Sequence, residues 1–245
     1  MMEEKRIDVL GLPVDLLEAD SALAMVEECI LERGLLQVVT LNAEMAILSR
    51  VDKEFEKILL RSRLVLPDGS GVVWAARRQG RKVKKLAGVD FAKSMASRAA
   101  ERGWGVFLLG AKKAVVEAAA AQLMKDNPGI RISGVQDGYF QSEEEAAEKV
   151  RSAKPDILLV ALGVPRQEKW ISEYQEKLGI PVCMGVGGTF DVLAGTVKRA
   201  PGLMRSLQLE WLFRLYQEPW RWRRMIRTLP LFVWLVWQGR KEGAS

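Results

Sequence analysis

The sequence has no histidine, and its 245 residues include only two cysteines, Cys29 and Cys183. The first absence excludes Ser-His-Asp chemistry, imidazole metal ligation and an imidazole general base. The second leaves no disulfide framework and no thiolate zinc cluster. Both cysteines sit in apolar runs and read as reduced core residues, which suits a cytoplasmic protein. No D-x-D triplet is present to hold a metal on a nucleotide diphosphate, so cationic side chains or backbone N–H groups are the expected phosphate partners. No metal site and no cofactor are expected. The dinucleotide fingerprint G-x-G-x-x-G and the phosphate loop G-x-x-x-x-G-K-[ST] are missing too. Met1–Ile7 is charged, unlike a signal peptide. Near the C-terminus the longest wholly apolar run, Leu231–Trp237, falls far short of the ~20 residues a bilayer span needs.

What is present is a well-cored chain, 49% apolar and 28% charged. Short Val/Ile/Leu-rich runs alternate with segments of helical period, which predicts a parallel sheet covered by helices. The strands are expected at Ile7–Leu10, Leu36–Thr40, Leu64–Leu66, Val106–Leu109, Ile130–Ser133, Ile157–Ala161 and Val182–Met184. Between them, Asp20 or Ser21 caps a helix reaching Gly34, Asp90 starts one ending near Gly103, and Lys113–Lys125, Ser142–Ser152 and Pro165–Leu178 are three more. Right-handed crossovers then give one doubly wound, Rossmann-like α/β domain.

Charge is unevenly spread. Residues 197–245 hold ten Lys and Arg against three Glu, a net of +7, while the rest of the chain nets −1. Five of the eight tryptophans lie in the same stretch. The expected division is a core over residues 1–196 and a helical, basic, Trp-rich appendage over 197–245. Pro219 should separate a helix near Arg205–Gln217 from another starting at Pro219. Tryptophans interleaved with arginines and followed by an apolar stretch describe a segment lying on an anionic membrane surface. Nucleic acid, the other partner of basic clusters, has no place for that stretch.

Four polar loops follow strand ends, where ligands bind in such sheets. Pro67-Asp68-Gly69-Ser70-Gly71 presents a carboxylate that either caps the next helix or faces the crevice. Thr40 and Asn42 flank Leu41 and share a side of the strand, with Asn42 readable as a helix N-cap or as a pocket residue. Gly163-Val-Pro-Arg-Gln167 aims a helix start and Gln167 at the same edge. Gly185, Gly187 and Gly188, leading to Asp191, permit close approach of a phosphate or ribose.

Taken in order, several blocks resemble the WecG/TagA/CpsF family of glycosyltransferases through nearly the whole chain. They are Thr40-Leu-Asn-Ala-Glu44, Leu66-Pro-Asp-Gly-Ser-Gly71, Gly88-Val-Asp90, Leu108-Leu-Gly110, Gly138-Tyr-Phe140, Ala161–Trp170, Gly185–Asp191, Lys198-Arg-Ala-Pro201 and Leu209–Leu215 with Glu218-Pro219. The resemblance implies inverting, metal-independent transfer from a UDP-sugar donor to a polyprenyl-diphosphate-linked sugar acceptor, by a peripheral protein on the cytoplasmic face of the membrane. In TagA-like members the donor is UDP-N-acetylmannosamine and the acceptor carries N-acetylglucosamine, giving the linkage unit of wall teichoic acid. Other members transfer the corresponding uronic acid or glucose.

Inversion needs a base for the attacking hydroxyl, and without histidine a carboxylate must serve. The resemblance assigns that role to Asp68. It places Thr40, Asn42 and Gln167 around sugar and acceptor, Gly185, Gly187 and Asp191 against the nucleotide, and Gly163 among the substrate-binding residues. Arg214, Arg221 and Arg224 resemble the family's candidates for gripping the diphosphate, and guanidinium forks match phosphate oxygens. Two other classes compete: a Rossmann-type oxidoreductase, disfavoured by the absent fingerprint, and a non-catalytic membrane adaptor using only its tail.

Overall fold

The structure, a computed structural model, describes residues 6–202, 204, 210–217, 219 and 222–242. Strands β1 (Arg6–Val9) and β2 (Leu12–Asp15) form an antiparallel hairpin. Six further strands form one wholly parallel sheet: β3 (Leu36–Leu41), β4 (Leu64–Pro67), β5 (Gly105–Gly110), β6 (Arg131–Gln136), β7 (Ile157–Ala161) and β8 (Val182–Gly185). Their order across the sheet is β4-β3-β8-β7-β5-β6. The expected strand at Ile7–Leu10 therefore does not join the parallel sheet. Leu10 and Gly11 adopt φ of 57° and 87°, and the Asp8 carboxylate accepts the Gly11 N–H, so the chain doubles back at once. Arg6 and Asp15 tie this hairpin to the sheet edge: Arg6 donates to Ser62 O, and Asp15 accepts the Val65 N–H at 2.7 Å.

Side-chain alternation along the strands builds a core on each face of the sheet. Leu36, Val38, Leu64, Leu66, Val106, Leu108, Leu159 and Met184 pack under α1 (Ala19–Leu31), α5 (Gly88–Arg102), α6 (Lys113–Asp126) and α9 (Thr189–Leu193). On the other face Val39, Leu41 and Val65 meet the hairpin, α2 (Ala43–Leu48), α3 (Lys53–Arg61) and α4 (Ser70–Arg78). Phe107, Leu109, Leu158, Val160 and Cys183 meet α7 (Glu143–Ala153) and α8 (Arg166–Leu178). Both cysteines are buried and unpaired.

The predicted helix ends hold at Ser142, whose hydroxyl accepts the Glu145 N–H, and at Gly103 and Gly179, both left-handed stops. They shift for α1, where Glu18 rather than Asp20 or Ser21 occupies the N-cap position, with no side-chain cap bond.

At the C-terminus, α10 (Glu210–Gln217) and α11 (Trp222–Glu242) are described, and the proposed helical residues 205–209 lie outside the described set. The second helix is described from Trp222 to Glu242 and runs through Pro230; Pro219 lies in a 3-10 turn, and residues 220 and 221 between them lie outside the described set. It packs on α2 and α4, and Phe232 is fully buried in the same cluster as the hairpin and α4. Glycine at 71 makes room: a Cβ there would stand 3.0 Å from Ala43 Cβ and 3.4 Å from Phe232 Cε1. Among the described residues no helix is long and apolar enough to cross a membrane.

Candidate active site

Every strand of the parallel sheet ends on the same edge, and every helix that follows starts there. A cavity of about 400 Å³ opens on this edge, above β3 and β4 and beside β8. The first residues of α2, α4, α5 and α9 line it, as Ala43, Ser70, Gly88 and Thr189. Helix N-termini carry partial positive charge and unpaired N–H groups, so this convergence favours an anion. The α5 end reaches in closely because residue 88 is glycine; a Cβ there would meet Thr40 Cγ2 and Oγ1 at 3.3 Å.

Thr40, Asn42 and Asp68 all line this cavity. Asn42 both caps and lines: its Oδ1 accepts the Glu44 and Met45 N–H groups at 3.0 Å. That bond locks the rotamer and leaves Nδ2 as the remaining donor. Asp68 is not the cap of α4. Gly69 holds that position, with φ of 86°, and the Asp68 N–H bonds to Leu41 O, which pins the turn to the end of β3. From this turn Asp68 lines the cavity.

Gln167 is placed differently. It is buried behind the cavity, its Oε1 accepting the Gly187 N–H at 3.1 Å and its Nε2 donating to Glu168 Oε1 at 2.7 Å. Gly185 is part of the same packing, since a Cβ there would lie 2.7 Å from Gln167 Nε2. Close packing of protein on protein is thus what requires glycine at 185. Gly187, with φ of 50° and open space at its missing Cβ, keeps room for a ligand, as does exposed Gly163 with φ of 81°. Asp191 lies half-buried on α9, where its backbone O accepts from Thr196 Oγ1 and Val197 N. None of these five residues lines the cavity holding Asp68. Arg221 is outside the described residues, and Arg214 and Arg224 are placed only by their backbone, on α10 and α11.

Three charged groups that sequence reasoning left without a role complete the surroundings. Lys85 and Glu210, both largely buried, form an ion pair at 2.5 Å in the cavity wall, joining the loop after α4 to α10. Arg199 grips Asp90, in the first turn of α5, through both guanidinium ends. Those bonds raise the Arg199 pKa above its ordinary value; burial opposes this, and the charges of Asp90, Glu210 and Asp68 add to it. The guanidinium therefore stands within electrostatic reach of Asp68. Both residues fall in blocks that carried the resemblance, Gly88-Val-Asp90 and Lys198-Arg-Ala-Pro201, but no spacing rule links positions 109 apart.

Such a site, an anion-attracting crevice lined by the carboxylates of Asp68, Glu44 and Lys85-paired Glu210 and by hydroxyl and amide donors, suits transfer from a phosphorylated donor. Residues 7–245 match the Glycosyl transferase WecG/TagA/CpsF family. The chain belongs to this family. It is 38% identical over 206 residues to the N-acetylglucosaminyldiphosphoundecaprenol N-acetyl-beta-D-mannosaminyltransferase of Bacillus subtilis (strain 168), covering 84% of this chain and 80% of that protein. It is 36% identical over 209 residues to the protein of the same name from Bacillus spizizenii, covering 85% and 81%. As a glycosyltransferase of this family, the chain needs a base, an acceptor position and a means of stabilising the leaving group. Asp68, the donors Thr40 and Asn42, and the four helix starts lie together in one cavity.

Proposed function

We propose that the protein transfers N-acetylmannosamine from UDP-N-acetylmannosamine to N-acetylglucosamine carried on undecaprenyl diphosphate, with inversion and without a metal. This is the step that forms the linkage unit of wall teichoic acid. The observation that carries the reading is the placement of Asp68 with Thr40 and Asn42 in one cavity of a chain so similar to transferases of that name. In the reaction, Asp68 takes the proton of the acceptor hydroxyl as its oxygen attacks the anomeric carbon. The bond from that carbon to the diphosphate breaks, and UDP leaves toward the helix starts.

Thr40 and the Asn42 amide orient the sugars. Gln167 acts from behind, packed against Gly185 and holding the Gly187 backbone where Gly163, Gly187 and Asp191 receive the nucleotide. Arg214, Arg221 and Arg224 complete the diphosphate site. Residues 197–245 act as the membrane-associating part, with the core over 1–196, and the protein works on the inner face of the cell membrane. Exposed Trp222, Ile226, Trp234 and Trp237 on α11 support that docking.

The test is a panel of UDP-sugars, including glucose and N-acetylmannosaminuronic acid, against a short-chain lipid-diphosphate N-acetylglucosamine acceptor, read by mass spectrometry with and without EDTA. One added N-acetylmannosamine, unaffected by EDTA, is expected. Preference for another donor, or loss of product with EDTA, overturns the assignment.

A further inference from the structure

A second cavity, of about 760 Å³, lies at the other end of α4. Its walls are the β1–β2 turn, the last residues of α4, and Leu235, Val236 and Gly239 of α11. Helix α11 thus borders both cavities, through Thr228 and Leu229 at the active site and through Leu235 and Gly239 here.

The charges in this second cavity are unbalanced. Arg77 and Arg78 face it together with Asp8, whose Oδ1 is already occupied by the Gly11 N–H at 2.8 Å. Among the described residues neither arginine pairs with a carboxylate. The Arg78 Nε is buried with no hydrogen-bond partner, and its guanidinium lies 5.3 Å from the centre of the Trp74 ring. A buried guanidinium N–H without an acceptor is costly unless a ligand supplies one. The surrounding run Arg77–Lys85 carries six basic residues and no acidic one. On α11, Trp234 and Trp237 are about half exposed, at 51% and 49%. An anion-seeking cleft beside an exposed apolar helix fits an amphiphile with a negative head.

We propose that this cavity binds the phosphodiester headgroup of an anionic membrane lipid, held by Arg77 and Arg78, with the acyl chains along α11. The site is separate from the transfer chemistry, and it rests on the membrane-docking part of the proposed function. It would fix which way the protein sits on the bilayer, with its active-site cavity one helix length from a bound lipid.

The experiment measures partition of the full chain onto phosphatidylglycerol vesicles and onto phosphatidylcholine vesicles. Arg77→Gln/Arg78→Gln should lower partition onto phosphatidylglycerol about tenfold and leave phosphatidylcholine unchanged. Gly239→Phe keeps every charge and adds bulk at the cleft wall, where a Cβ would meet nothing within 4 Å; an unchanged urea-unfolding midpoint checks that the variant folds. This variant should produce a similar loss. Lys82→Gln/Lys84→Gln removes equal charge from the same run but outside the cavity, and should cost clearly less. Equal losses from the two double variants, or wild-type partition by Gly239→Phe, overturn the site in favour of diffuse attraction. Saturation of the site by soluble glycerol phosphate without vesicles overturns the lipid as occupant. Equal partition of the wild type onto both vesicles removes both this site and anionic-membrane docking. Turnover with UDP-sugar and a soluble acceptor, unchanged in all three variants, reports the transferase reading separately.

Discussion

Glu168 is a carboxyl group 2% exposed, bonded to Gln167 on one oxygen, while the other oxygen has no hydrogen-bond partner. Burial raises its pKa from 4.5 to about 7, and the Gln167 and backbone hydrogen bonds only partly oppose this. The folded protein therefore holds a proton between these values that the unfolded chain has released. The stability that Glu168 contributes is fully present below pH 4.5, is lost as pH rises toward 7, and stays lost above. At about 1.4 kcal/mol per pH unit, the whole loss is about 3 kcal/mol. Glu168→Gln removes the titration while keeping an acceptor for Gln167. Urea unfolding followed by tryptophan fluorescence from pH 4.5 to 8 reads the effect. The wild-type curve should fall relative to the variant by about 3 kcal/mol up to pH 7 and run parallel above it. Other titrating groups are common to both proteins and cancel in the difference. Curves parallel throughout would refute the reasoning and mean that water reaches the carboxylate.

Asp68→Asn should lower turnover by about 10²- to 10⁴-fold while isothermal titration still detects UDP, because the base is lost and the anion site is not. Retention of wild-type turnover would place the proton elsewhere. Phe232→Ala, which empties a fully buried site between α11 and α4, should cost about 3–5 kcal/mol in the same urea assay. A change below about 1 kcal/mol would mean that α11 does not dock on the core in solution.

Much of the fold was legible because it is written locally. A buried parallel strand needs a short apolar run, and β7 and β8 fall where Ile157–Ala161 and Val182–Met184 showed one. Glycine at 103 and 179 and serine at 142 mark helix ends through their own backbone and side-chain geometry. Thr40, Asn42 and Asp68 were legible for the same reason: in a parallel sheet, strand ends share one edge, so loops after different strands meet. The β1–β2 hairpin was not, because Leu10-Gly11 is a two-residue turn with a non-glycine residue at positive φ, outside the usual turn signals.

The sequence by itself determined that the chain forms a doubly wound α/β layer, that its base cannot be histidine, and that its net positive charge lies in the last fifth of the chain. Only the tertiary structure decided that Gln167 turns inward to Glu168 and Gly187, that Arg199 reaches Asp90, and that Phe232 is part of the core. It also decided that a second basic run, Arg77–Lys85, ends beside the basic tail. The reason is physical. Hydrogen-bonding period and turn geometry act over a few residues and leave their mark in the order of side chains. Pairings across 100 residues are set by which faces of finished elements pack together, and the volume and charge available there exist only once they have.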